Sequence, residues 1–271
     1  MKSIDENSQF NDPNDWQNFT KYIYETNRFM LTDEWEYFMG LIIKTSHKRT
    51  KILKKGTELV RARTGTSCVQ FDDGDEQPCP ISLLEMGPPP KHLSREGRLN
   101  TQGIPYLYLA MEIKTAIAEA RPWIDDELSV GVFEILEDLR IVDTTKDEPN
   151  KISSKYQFTS NGSIKKRPIE SYASKEKEEH IWGDINSAFS MPISSSDSPL
   201  KYLPTQFLAE KLKTNRYDGV AYRSSLDQNG INLSIFNHEK AKCIGCRMFK
   251  VKQLKYEYEE CGNPVSLSKG D

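Results

Sequence analysis

Four kinds of residue in this chain have types and settings that could do chemistry: a helical glutamate, a pair of strand arginines, a serine pair and a cysteine pair. Glu119 stands in Ile113-Lys-Thr-Ala-Ile-Ala-Glu-Ala120, where Ile113, Ala116, Ile117 and Ala120 recur at the helical period and Pro122 ends the run. Glu112 lies seven residues earlier, which predicts that both carboxylates share one flank beside the apolar stripe. A carboxylate there is partly desolvated and still able to meet a ligand, although a solvated helix glutamate fits the same spacing. Arg61 and Arg63, in Glu58-Leu-Val-Arg-Ala-Arg63, point the same way at strand period, and an exposed strand face accounts for them as well as a site does. Ser224 and Ser225 follow a predicted strand, where serines ordinarily make a turn. Cys243 and Cys246 form a lone Cys-x-x-Cys with His238 upstream, lacking a fourth zinc donor or a thioredoxin-like setting. They read as small residues buried on a strand. Asp72, Asp73 and Asp75 hint at calcium, but no glutamate closes the run at the required spacing, so no metal site is expected.

The elements that must position these groups follow from pattern. Residues 1–15 read as a polar tail. Trp16, Phe19 and Ile23, then Phe29, Trp35, Phe38, Met39, Ile42 and Ile43, predict two helices, the second capped by Thr32-Asp33 with Glu34 and Glu36 at its positive end. A strand follows Gly56, and the acidic stretch from Phe71 to Pro80 reads as a loop. Gly97, Asn100, Gly103 and Pro105 are turn residues before a short buried strand, Tyr106 to Ala110, and the Glu119 helix. Strands are predicted over Leu128–Ile135, Leu139–Thr144, Tyr217–Tyr222, Gly230–Phe236 and Met248–Tyr258. Helices are predicted over Ile181–Phe189 and from Tyr202 through Leu212. Residues 145–178 carry no period and read as a polar excursion, with Lys165-Lys166-Arg167 a solvated cluster.

Composition bounds the partners. Lys and Arg number 37 against 40 Asp and Glu, a balance that provides no footprint for nucleic acid or an anionic membrane. No apolar run approaches the roughly 20 residues of a membrane span, and the acidic N-terminus is unlike a secretory signal. Five scattered cysteines suggest reduced thiols, hence a cytoplasmic protein. There is no phosphate-cradling P-loop and no GxGxxG fingerprint.

The local motifs together resemble the RES domain family, named for an arginine, a glutamate and a serine. The resemblance rests on Gly97-Arg98-Leu99-Asn100, Tyr108-Leu109-Ala110, Thr115-Ala116-x-x-Glu119 and the arginine strand. It continues in Trp182-Gly-Asp184-Ile185, Asp218-Gly-x-x-Tyr222-x-Ser224, and Gly230-x-Asn232. Departures are mild, at Leu99 and Thr101-Gln102. The first 55 residues resemble the helical region that precedes long-form members, residues 56–260 the RES domain, and 261–271 a tail. That N-terminal region is related to helical domains that include RNases, but neither His47 nor His92 has the arginine such RNases carry, so packing or oligomerisation is its expected role.

The resemblance implies an α+β fold of the ADP-ribosyltransferase kind, a split antiparallel sheet with flanking helices behind a small helical element. It implies an enzyme that consumes NAD+ as substrate, with no cofactor, by hydrolysis or phosphorolysis, as a toxin-type effector masked by an antitoxin or immunity protein. A protein ADP-ribosyltransferase, or a silent binding module, is the alternative. Under this reading Glu119 stabilises positive charge on the reacting ribose, and Arg61, with Arg98, clamps the pyrophosphate. Ser224, or less favourably Ser225, orients the ribose, Tyr108 or Tyr222 stacks on nicotinamide, and Asn232 lines the site.

Overall fold

The computed structural model describes residues 4–70, 75–146, 156–158, 164–191 and 199–255. It opens with α1 (Asp15–Glu25) and α2 (Asp33–Ser46), whose apolar faces bury Trp16, Phe19 and Ile23, and Phe38, Met39, Leu41 and Ile42. Thr32 precedes α2 as its N-cap, and Asp33, Glu34 and Glu36 occupy the first turn, where the helix dipole favours negative charge. Phe29, expected on the second apolar run, lies before that cap and outside the helical period, and is 91% exposed.

Four strands follow: β1 (Thr50–Leu53), β2 (Glu58–Thr64), β3 (Ser67–Gln70) and β4 (Glu76–Cys79). Next come β5 (Leu107–Ala110), α3 (Ile113–Ala120), β6 (Glu127–Ile135), β7 (Leu139–Asp143), β8 (Tyr156–Phe158) and β9 (Ile164–Lys166). The chain continues through α4 (Ser174–Ser190), α5 (Leu203–Thr214), β10 (Gly219–Arg223), β11 (Ile231–Ile235) and β12 (Ala241–Lys250). Eight strands form one sheet in the order β1-β7-β10-β11-β5-β2-β6-β12. Only β7 and β10 run parallel, and the long connection that parallel strands require carries α4 and α5. The chain is thus α+β, with a mostly antiparallel sheet, flanking helices and helices at its N-terminus.

The sheet has a seam. β2 and β5 are paired at one position, Val60 with Ala110, and diverge beyond it. Five strands lie on one side of this seam and three on the other.

Two main cores hold the sheet, beside a small third cluster under α3. On one side α1, α2, α4 and α5 pack Phe19, Ile42, Trp182, Phe189 and Leu208 against Val142 and Val220 of the strands. The other core contains Leu59, Met86, Leu107, Phe133, Ile135 and Ile235. Each such side chain stabilises the fold by about 1.5–3 kcal/mol. The apolar faces of α1 and α2 are therefore covered within the chain, and β1, in the first 55 residues, is an edge strand of the main sheet.

Several expectations are corrected. The second half of the acidic loop contains β4, which forms a hairpin with β3, Cys68 and Val69 pairing with Pro78 and Gln77; residues 71–74, with Asp72 and Asp73, lie outside the described residues. The last strand is Ala241–Lys250 and not Met248–Tyr258, because it pairs with β6 over that span, with one register shift between Cys243 and Gly245; residues 256–258 lie outside the described residues. The polar excursion contains the β8–β9 hairpin and the first turns of α4, whose charged residues hide the helical period. Arg167 is not merely solvated: both its terminal nitrogens donate to Glu176, at 3.1 and 3.0 Å, and its guanidinium lies 4.3 Å from the centre of the Tyr172 ring. Among the described residues no helix is long and apolar enough to cross a membrane.

Candidate active site

A cavity of about 340 Å³ opens at the seam, lined by Val60, Arg61 and Ala62 on one strand and Tyr108, Leu109 and Ala110 on the other. The last turn of α3 closes it with Glu119, and Arg98, Tyr222 and Asn232 complete the wall. α3 is short, ended by Arg121 in the left-handed conformation (φ 51°) and by Pro122. Its buried residues are Thr115 and Ala116, whereas Ile113 is 40% exposed. Ala116 and Ile117 of the predicted stripe do pack with Val60 and Val130, and Ile113 in the first turn is the member that departs from it. Glu112 is not on this helix: it is the extended N-cap residue and is exposed, so the two glutamates do not share a flank.

Three donors converge on the Glu119 carboxylate. Oε1 accepts from Ser224 Oγ at 2.8 Å and from Asn232 Nδ2 at 2.6 Å. Oε2 accepts from Arg98 Nη2 at 3.3 Å. The side chain retains 23% of its exposure, so Oε2 keeps capacity for a ligand. Ser224 Oγ in turn accepts the backbone N–H groups of Leu226 and Asp227, at 3.1 and 3.2 Å. Its only proton is left for Glu119, which settles the direction of that bond.

The loop after β10 is built to hold Ser224 there. Asp227 Oδ1 accepts from Lys114 Nζ at 2.6 Å and Oδ2 from Thr115 Oγ1 at 2.7 Å, tying the loop to the first turn of α3. These hydrogen bonds hold the Asp227 carboxyl below the usual aspartate range. Gly230 is required by this closeness, because a Cβ there would lie 2.6 Å from the Thr115 side chain. Ser225 is exposed and does not line the cavity.

Arg98 is positioned by its turn. Gln206 Nε2, near the start of α5, donates to Gly97 O at 2.9 Å and Asn100 O at 3.0 Å, and Thr205 Oγ1 donates to Arg98 O. Tyr108 Oη accepts from Leu99 N at 3.1 Å and donates to Asn100 Oδ1 at 2.8 Å. The same packing demands Gly97, whose Cβ would lie 2.6 Å from Asn100 Oδ1. Burial lowers the Arg98 pKa, but Tyr222, Glu119 and Tyr202 more than offset it and the net shift is upward. Burial pushes the Tyr108 phenol up to about 12 and the Tyr222 phenol upward as well, so both stay neutral.

Arg61 differs from Arg98. Its Nη1 is buried with no hydrogen-bond partner among the described residues. Burial, and next the charge of Arg63, push its pKa down to about 10, which leaves it cationic at neutral pH. Arg63 points elsewhere, donating Nη2 to Gly87 O. An unpaired cation at a cavity wall is a place for an anion.

The structure thus places Glu119, Ser224, Asn232, Arg98, Arg61, Tyr108 and Tyr222 at or against one cavity, and leaves Ser225 outside. Sequence reading did not find Tyr202 or Glu96, which also line it, nor the positioning role of Gln206. Nothing in their spacing marks them, apart from a place beside a turn or at the mouth of a helix. Cys243 and Cys246 lie on β12, two strands from the seam strand β2, and do not line the cavity; burial raises both thiols. No group of His, Cys, Asp or Glu that could hold a metal occurs among the described residues.

Comparison with known proteins gives three findings. No curated protein sequence matches the chain. Among solved structures, the M. tuberculosis MbcT–MbcA toxin–antitoxin complex contains a chain similar at 11% identity and a TM-score of 0.39, over 77% of this chain and 92% of that one. The RES domain profile matches residues 84–258, which include Arg98, Glu119, Ser224 and Asn232 and exclude Arg61. The chain belongs to the RES domain family.

Proposed function

We propose that this protein is an NAD+-consuming enzyme that breaks the bond between nicotinamide and ribose by hydrolysis or phosphorolysis. The observation that supports this best is the state of the Glu119 carboxylate. Two neutral donors occupy Oε1, and Oε2 accepts from Arg98 at the wall of the cavity.

Cleavage of the glycosidic C–N bond sends the bonding electron pair to nicotinamide, which leaves neutral. Positive charge then spreads over the ribose C1′ and ring oxygen. A fixed carboxylate near that sugar stabilises the developing cation or holds the 2′-hydroxyl, as glycosidase carboxylates do. Water adds its oxygen to C1′ and releases a proton to give ADP-ribose; phosphate in place of water gives ADP-ribose 1″-phosphate. Ser224 is not the nucleophile, since its proton is committed to Glu119 and its lone pairs to two backbone N–H groups. It holds the carboxylate, and Asn232 shares that task. Arg61 takes the pyrophosphate, and Tyr222 or Tyr108 bounds the nicotinamide pocket. No cofactor enters this scheme. Under this reading the partner is an antitoxin or immunity protein that masks the cavity, and the reaction runs in the cytoplasm.

The test is to incubate purified protein with NAD+, with and without inorganic phosphate, and follow the nucleotide by proton and phosphorus NMR. Free nicotinamide with ADP-ribose, or with its 1″-phosphate, is expected. Intact NAD+ beside folded protein overturns the proposal, and label retained on a protein acceptor turns it into a protein ADP-ribosyltransferase.

A further inference from the structure

Phe29 and Met30 belong to none of the cores and are 91% and 77% exposed, in the connection between α1 and α2. Tyr22 fixes that connection. Its Oη donates to Met30 O at 3.0 Å, and its carbonyl accepts the N–H groups of Thr26 and Asn27 at 2.9 and 3.3 Å. The two side chains therefore stand as a preformed apolar knob. Residues 25–34 carry three exposed acids, Glu25, Asp33 and Glu34, against one cation, Arg28, a net charge of −2. Elsewhere on the molecule, Ile117 and Ala118 of α3 form one wall of a groove of about 690 Å³, which Trp123, Leu226 and Leu254 complete. Arg121 and Lys255 are exposed at this groove, Lys114 is committed to Asp227, and no acidic residue lines it.

We propose that the Phe29–Met30 knob of one molecule docks in the α3 groove of a second copy of this chain. Complementarity of shape and charge carries the inference. The knob is convex and apolar, and the groove is concave and apolar, with Trp123 64% exposed in its wall. The acids around the knob meet Arg121 and Lys255, a pairing that steers the encounter and fixes its register. The same acids repel an anionic membrane, the other surface on which an exposed Phe-Met pair could insert. A groove of this volume lies within the range that encloses a drug-sized molecule and so admits two side chains. Phe29 is exposed in its own molecule, so the groove is filled in trans. Knob and groove are different surfaces, which makes the contact heterologous: association runs head to tail and continues unless a ring closes. The contact is small, hence weak and dependent on concentration. The groove has no lining residue in common with the Glu119 cavity, yet it includes Leu226, whose N–H bonds to Ser224 Oγ, so the docked copy touches the loop that holds the site.

Sedimentation equilibrium of the full chain tests this without reference to any activity. The average mass of the wild type is expected to rise with protein concentration between about 1 μM and about 1 mM, the range of weak, small interfaces. Phe29→Ser removes the knob and keeps the groove; Trp123→Ser removes a groove wall and keeps the knob. Each variant alone is expected to associate at least about tenfold more weakly, as when one aromatic anchor is truncated. Mixed in equal amounts, the two should form a one-to-one pair of nearly wild-type strength, because the knob of one meets the groove of the other, and growth should stop there. Arg121→Glu serves as the groove variant where Trp123→Ser melts well below the wild type. Association of the wild type should also weaken as salt rises from about 50 to about 500 mM, since the rim charges are exposed. A wild type that keeps the mass of one chain throughout overturns the proposal, as does association of unchanged strength in Phe29→Ser, which gives the groove another occupant. A mixture no stronger than its two components overturns the head-to-tail contact, and association that strengthens with salt overturns the charge pairing.

Discussion

Ser224 gives its one hydroxyl proton to Glu119 Oε1 at 2.8 Å while its oxygen accepts two backbone N–H groups of its own loop. The serine therefore serves the glutamate, and the loop serves the serine. Asp227 extends the chain of dependence to Thr115, one turn before Glu119 on the same helix. The position of the carboxylate is thereby set from both ends of α3.

Removing the hydroxyl tests this hierarchy. Ser224→Ala leaves Glu119 with one donor fewer on Oε1 and leaves two N–H groups without their acceptor. A loss of about 1–3 kcal/mol in stability is expected for the unsatisfied groups. Turnover is expected to fall about 10- to 100-fold yet stay measurable, with Ser224→Thr recovering part of it. Total loss of turnover in a well-folded Ser224→Ala protein would point instead to a covalent role.

Glu119→Gln keeps the shape and removes the charge. Turnover should fall by at least about 100-fold, the scale of losing one electrostatic stabiliser in a site poor in water, with the loss in kcat more than in KM. Glu112→Gln is the comparison, an exposed cap residue outside the cavity, and should leave the rate within about twofold, as surface changes usually do. Single-turnover rates and melting temperatures of both variants decide it, and similar effects at the two positions return Glu119 to an ordinary surface role.

Arg61 carries a prediction in which binding and stability move in opposite directions. Its guanidinium is desolvated, feels the like charge of the nearby Arg63 and has a buried, unpaired Nη1. Arg61→Lys should weaken NAD+ binding by roughly 10- to 150-fold, corresponding to about 1.5–3 kcal/mol for a charge-assisted contact. Arg61→Met should abolish measurable binding and raise the melting temperature, because an uncompensated buried charge is replaced by apolar volume. A Met variant that binds NAD+ normally, or that melts lower, contradicts the pyrophosphate assignment.

Asp227 makes the loop sensitive to acid. Its carboxyl is held below the ordinary aspartate value of 3.8 by Lys114 and then Thr115, burial acting in the opposite direction. A depressed folded pKa adds stability that is fully present above the unfolded value near 4 and is lost as pH falls through the folded one. The melting temperatures of wild type and Asp227→Asn should therefore differ most at neutral pH and converge below about pH 4. A constant difference from pH 7 to pH 2.5 would mean that packing, not charge, is what the substitution removes.

Local order was legible in the residues themselves. Period and turn chemistry located β5, β10, β11, α2 and the Gly97–Asn100 turn, because each is decided by neighbours within a few positions. The RES motifs are likewise local, and each sits on the element its pattern implied. Where strand and loop patterns are both polar, as over Glu76–Cys79, or where a helix begins with charged residues, as at Ser174, the period gave no signal. What only the tertiary structure decided is which groups meet. Ser224 and Asn232 reach Glu119 across 105 and 113 residues because β10, β11 and β5 are neighbours in the sheet, an order that no spacing records. The exposure of Ile113, the exclusion of Ser225 and the unpaired Nη1 of Arg61 are likewise set by tertiary packing. Periodicity reports which face of an element is apolar; the partner of a buried charge depends on how distant elements are brought together.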